Sequence, residues 1–124
     1  MILYEDLSDE VISAAIEVHR ALGPGLLESA YCQCLRHELE LRAIPFRYEV
    51  DLPVVYKGVE LECGYRMDFV VDEKIVLELK AVETILPIHE AQLLTYMRLS
   101  GFRVGLILNF NCAVLRNGIV RRVL

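Results

Sequence analysis

Asp68, Glu78 and Lys80 are the residues of this chain whose types and spacing can do chemistry. Glu78 and Lys80 interrupt Ile75, Val76, Leu77 and Leu79, a run that otherwise reads as a buried strand. Burying a lone charge is costly, and the usual relief is a partner ion or a metal. Asp68 falls in the preceding run, where Met67, Phe69 and Val71 alternate with Arg66, Asp68 and Val70. A one-residue slip between the two runs would set the polar positions of one against the apolar positions of the other. A two-residue turn at Asp72-Glu73 creates that mismatch. A three-residue loop, Asp72 to Lys74, instead pairs Val71 with Ile75 and Asp68 with Glu78, and this register is the expectation.

On that register the two carboxylates are direct cross-strand neighbours with Cβ atoms roughly 5 Å apart. Arg66 and Lys80 form the next pair on the same face. Two acids held together beside a lysine suit a hard divalent cation with oxygen ligands. The competing reading is a solvated face on which Arg66 and Lys80 neutralise the acids. Glu28 adds a third acid, on one helical stripe with Tyr31, Cys32, Leu35 and Leu39 that should face the sheet. A first-turn glutamate that answers the helix dipole explains Glu28 alone equally well. Gln92 and Tyr96, one turn apart, form a polar pair in an otherwise apolar helix. His19, His37 and His89 carry no assigned catalytic role.

The elements that must position these residues are legible from period and punctuation. Val11, Ala15, Val18 and Leu22 recur at helical spacing. Gly23-Pro24-Gly25 ends that helix, and the next is expected to start with Pro24 in its first turn and run to about Arg42. Strands are expected at Val54 to Tyr56 and Val59 to Leu61, around a Lys57-Gly58 turn, then at Tyr65 to Val71 and Ile75 to Lys80. A helix from about Ile88 to Ser100 stops at Gly101, and Val104 to Leu108 reads as an interior strand. Asn117-Gly118 between Leu115-Arg116 and Ile119 predicts a type I′ hairpin. The order gives a mixed α/β sheet with helices packed on it.

The chain has 124 residues, 55% hydrophobic and 25% charged, which fits a single domain spanning 1–124 and excludes a disordered or fibrous protein. No apolar stretch is long enough to span a bilayer, and Met1 to Leu7 lacks the features of a secretory leader, so a cytoplasmic protein without membrane contact is expected. Cys32, Cys34, Cys63 and Cys112 show no metal-binding or disulfide spacing and read as reduced thiols. A net charge of −5 weighs against a broad basic surface but leaves room for a local one.

Asp68 followed by Glu78-Leu79-Lys80 resembles the D…ExK signature of the PD-(D/E)XK nuclease superfamily. Gly25-Leu26-Leu27-Glu28-Ser29-Ala30-Tyr31 resembles the motif of its GxxExxY branch, with further matches at EVHRALGPG, HEAQLLTY and GLILNFN. The position before the aspartate, nominally proline, is Met67. The resemblance implies a helix, a three-stranded meander, a helix and a strand as the core of the central sheet. It implies Mg²⁺ or Mn²⁺ held by Asp68, Glu78, the Leu79 main-chain carbonyl and Glu28, directly or through water, with Lys80 acting on the attacking water or the developing charge. Tyr31, Gln92 and Tyr96 would hold substrate or the residues around the ion. The implied activity is hydrolysis of nucleic-acid phosphodiester bonds, DNA in the first instance, with a homodimer or partner protein providing targeting. Two other readings stand beside it: a non-catalytic nucleic-acid or protein adaptor on the same fold, and a small-molecule protein with a closed pocket.

Overall fold

The computed structural model describes residues 2–124. Helix α1 (Glu5–Leu22) and helix α2 (Glu28–Leu41) are followed by β1 (Phe46–Asp51), β2 (Val54–Tyr56), β3 (Val59–Leu61), β4 (Arg66–Val71) and β5 (Ile75–Lys80). Helix α3 (Pro87–Ser100), β6 (Val104–Asn109), a 3₁₀ turn (Leu115–Gly118) and β7 (Ile119–Val123) complete the chain. Five strands form one mixed sheet in the order β1-β4-β5-β6-β7, and β2 and β3 form a separate hairpin. Among the described residues only the β5–β6 contact is parallel, because α3 carries the chain back between them. Among the described residues no helix is long and apolar enough to cross a membrane.

The sheet separates two apolar layers. On one face α1 and α2 bury Val11, Ala15, Leu35 and Leu39 against Phe69, Leu77, Leu79 and Leu106. On the other, α3 packs Leu93, Tyr96 and Met97 over Val70, Val76 and Ile107. Gly105 sets the depth of α3: a Cβ there would lie 2.6 Å from Met97 Sδ and 2.8 Å from Leu93 Cδ1. β5 and β6 are covered on both faces, which is why their sequences lose alternation and read as continuous apolar runs.

Three local expectations change. Phe46–Asp51 is a strand of the main sheet, pairing with β4 from Phe46↔Val71 to Asp51↔Arg66. Its Phe46, Tyr48, Val50 alternation is a period-two signal, and this strand is the first of the meander β1-β4-β5. Pro24 lies ahead of α2, not in its first turn. The Tyr31 hydroxyl holds that stretch out of the helix by donating to the Gly23 carbonyl at 2.5 Å and accepting from the Leu26 N–H at 3.1 Å. Asn117-Gly118 closes a 3₁₀ turn and not a tight hairpin. Gly118 is required there by proximity, since a Cβ would come within 2.3 Å of the Asn109 carbonyl oxygen.

Candidate active site

The β4–β5 register is Val71↔Ile75, Val70↔Val76 and Phe69↔Leu77, as the three-residue loop requires. Asp72 and Glu73 in that loop take left-handed φ values of 49° and 52°. The ladder then stops one step short of Asp68 and Glu78. In place of the missing backbone pairing, the Asp68 N–H donates to Glu78 Oε2 and the Leu79 N–H donates to Asp68 Oδ2, each at 2.8 Å. Each acid therefore caps the strand that carries the other. The carboxylates lie in the gap between two parted strands, and not simply side by side on one face.

A distortion in β1 accompanies the gap. Glu49, opposite Asp68, has φ 51° and is absent from an otherwise continuous β1–β4 ladder. Tyr48 packs with the α1/α2 layer while Val50 packs with the α3 layer, so the strand rotates at Glu49. Phe69 and Met67 divide in the same way on β4, which puts Asp68 at the turning point. Glu49 also takes Arg66 as its ion-pair partner at 3.2 Å. Arg66 is thus occupied on the β1 side and does not pair with Lys80 along β5.

Glu78 is only 5% exposed, which removes the solvated-face reading for this acid. Burial, then the charge of Asp68, pushes its carboxyl up to about 8, against the opposing effect of the Asp68 N–H and Lys80. The Asp68 carboxyl is also raised, chiefly by burial, although the Leu79 N–H and Lys80 favour its charged form. Glu28, at the first turn of α2, is raised by burial; Lys80 opposes this and Asp68 adds to it. Cys32, one turn along α2, is pushed up to about 12 by burial and by the charges of Asp68, Glu28 and Glu78, so it is a neutral thiol beside the acids. On the opposite layer the Tyr96 phenol is raised by burial and then by Glu78. The gap is therefore felt from both helical layers, with Glu28 and Cys32 on the α2 side and Tyr96 on the α3 side.

The remaining candidates separate by role. Tyr96 accepts a hydrogen bond from Gln92 Nε2 at 3.0 Å, so these two form one unit on α3. Tyr31 is fully buried, its ring stacked on Phe110 at 4.6 Å and its hydroxyl engaged by the loop before α2; its contacts shape the backbone that carries Glu28. Lys80 is half-buried at the end of β5 and forms no ion pair among the described residues. Asn109, which sequence reasoning passed over, fixes the chain just beyond Lys80. It is buried, accepts from the Val82 N–H at 3.1 Å and donates to the Val82 carbonyl at 2.9 Å. The signal was available: a single polar residue ends the apolar run Val104 to Leu108, directly across from Lys80 in the β5–β6 register.

The donor set fits a hard divalent ion. Asp68 Oδ1 and Glu78 Oε1 are left without hydrogen-bond partners among the described residues, because only the other oxygen of each carboxylate is used. The Leu79 N–H points toward β4, and in an extended strand the carbonyl of the same residue points to the same side. Among the described residues no three acidic, histidine or cysteine side chains converge into a ready metal cage. Asp68, Glu78 and the Leu79 carbonyl could hold such an ion, and water could complete its shell and reach Glu28. Mg²⁺ characteristically keeps several waters in this way.

A mixed sheet with helices on both faces, whose meander parts around an Asp and a Glu-x-Lys, defines a nuclease-like α/β domain. The family profile described as the PD-(D/E)XK nuclease superfamily matches residues 5–123, and the chain belongs to that superfamily. No curated protein matches the chain, and no solved structure does.

Proposed function

We propose that this protein is a divalent-metal-dependent phosphodiesterase that hydrolyses nucleic acid, DNA in the first instance, as a single domain of the GxxExxY branch. The observation that carries the reading is the exchange of carboxylate caps between Asp68 and Glu78 across the parted strands, with Lys80 near them and in no ion pair among the described residues. Bound Mg²⁺ or Mn²⁺ supplies neutralisation of phosphate charge and a more acidic water. Asp68 and Glu78 each hold one carboxylate oxygen on a backbone N–H and leave the other without a hydrogen bond among the described residues, so both enter the reaction already oriented. The Lys80 ammonium donates to the attacking water or to the phosphoryl oxygens as their charge develops. Glu28 holds water on the α2 side, and the Gln92–Tyr96 unit borders the substrate on the α3 side.

The test is a cleavage screen in Mg²⁺ and Mn²⁺ on single-stranded, duplex and branched DNA and on RNA, with Asp68→Asn as control. Metal-dependent cleavage by the wild type that is lost in Asp68→Asn supports the reading. Protein that binds nucleic acid yet cuts none of these substrates in either metal would replace it with a binding adaptor.

A further inference from the structure

Tyr96 belongs to two spaces. Besides packing in one cluster with Met67 and Val76, one and two residues from Asp68 and Glu78, it lines an open-sided cleft of about 610 Å³ between α3 and the chain around β2. The cleft falls within the size range of roughly 300–1,000 Å³ typical of small-ligand sites. Its walls are mostly apolar: Val54 and Tyr65 on one side, with Ile88, Ala91, Thr95 and Leu99 of α3 on the other. Tyr65 stands half exposed, with its ring 6.2 Å from that of Tyr96, and is three positions from Asp68 along the chain. The polar atoms are few and placed at an edge. Gln92 spends one N–H on Tyr96, and its other N–H and its carbonyl have no partner among the described residues. Thr95 accepts from Arg98 at 3.0 Å, which fixes a guanidinium at the rim.

An open-sided, mostly apolar cleft with tyrosines in its walls, a few hydrogen-bonding groups and a cation at its lip matches the faces, edge and phosphate of a nucleotide. In a duplex both faces of each base are covered by its neighbours, so such a slot accepts only a base that is out of the stack. The net charge of −5 adds a second argument. Without a broad basic surface, phosphate attraction alone is a weak source of affinity, and stacking can supply the difference.

We propose that the cleft between α3 and β2 takes an unpaired nucleobase next to the scissile phosphate, so that preferred substrates are single-stranded or carry an unpaired base there. This rests on the phosphodiesterase reading above, and the following measurements separate the two. Fluorescence anisotropy in Ca²⁺ compares fluorescein-labelled single-stranded DNA with the matching duplex. The single strand is expected to bind about tenfold or more tightly, the scale of one stacked base. Tyr65→Ala, and Ala91→Phe to fill the slot, should each weaken single-strand binding by about tenfold while leaving duplex binding and the thermal melt in place. Tyr65→Phe should retain wild-type affinity, because the ring is what stacks. Equal affinity for both probes, or single-strand affinity unmoved by Tyr65→Ala and Ala91→Phe, overturns the proposal. Loss of a wild-type dimer in Ala91→Phe on sedimentation also overturns it, by making the cleft a contact between copies. Cleavage in Mn²⁺ reads the other claim: binding through the cleft without cleavage supports the slot and removes the hydrolytic step. Cleavage of duplex as fast as single strand, unchanged by Tyr65→Ala, keeps that step and overturns the slot.

Discussion

Replacing Glu78 by Gln should change how stability depends on pH more than it changes stability itself. Gln keeps an oxygen to accept the Asp68 N–H, now held at 2.8 Å, and removes the ionisable proton. In the folded protein Glu78 titrates at about 8, raised from 4.5 by burial and then by Asp68. Above pH 4.5 the unfolded chain has released this proton while the folded chain still holds it. Wild-type stability in chelator should therefore fall as pH rises, by up to about 1.4 kcal/mol per pH unit from this group, until about pH 8. The variant lacks this contribution. Between about pH 6 and about pH 7.5 the wild type should lose roughly 2 kcal/mol relative to Glu78→Gln, equivalent to about 8 °C in melting temperature for a chain of this size. Urea denaturation of both proteins in EDTA at the two pH values measures the difference. Saturating Mn²⁺ should reverse the order, because only the wild type offers an ionised Glu78. Parallel wild-type and variant profiles in EDTA would refute the claim that Glu78 is ionised at a cost across the parted strands.

The other acid separates charge from hydrogen bonding: Asp68→Asn retains an acceptor for the Leu79 N–H and should match or exceed wild-type stability in chelator, whereas Asp68→Ala strands that N–H and should fall below Asn by about 1–3 kcal/mol in urea melts. Lys80→Met keeps the apolar stem and removes the ammonium, so single-turnover cleavage should drop on the order of a hundredfold or more while binding in Ca²⁺ falls only slightly; equal losses in both would make Lys80 a substrate clamp. Tyr31→Phe removes the hydroxyl that ties Gly23 to Leu26 and should cost about 1–3 kcal/mol of stability in the same melts. Gly105→Ala forces a methyl against Met97 and Leu93 and should destabilise by about 1–3 kcal/mol.

The sequence made the β4–β5 register legible because a side-chain period of two tolerates no slip: once Phe69 and Leu77 must share a buried face, Val71 must meet Ile75. Alternation does not reveal where a ladder ends, so by alternation alone Asp68 and Glu78 read as an ordinary cross-strand pair. The parting depends on Glu49 adopting a left-handed conformation in mid-strand, and neither residue type nor spacing marks that event in Phe46–Asp51. Asn117-Gly118 misled for a related reason. Its turn preference is local, and the approach of Gly118 to the Asn109 carbonyl is a tertiary demand that overrides it. Gln92 and Tyr96 were legible as a polar pair at helical spacing; that they also edge an apolar cleft depends on where the β2 segment lies.

The exchange of caps between Asp68 and Glu78 has a consequence for the cost of capturing an ion. A free carboxylate spins through several orientations, and a ligand that fixes it must overcome that rotational entropy. Here neither carboxylate can turn without giving up its hydrogen bond to a backbone N–H of the neighbouring strand. The sheet has already immobilised both acids, each through one oxygen bonded to the other strand's backbone. A cation would meet two donors already held in place, and below about pH 8 its affinity would be set by displacing the Glu78 proton and stripping water from the ion more than by ordering the protein.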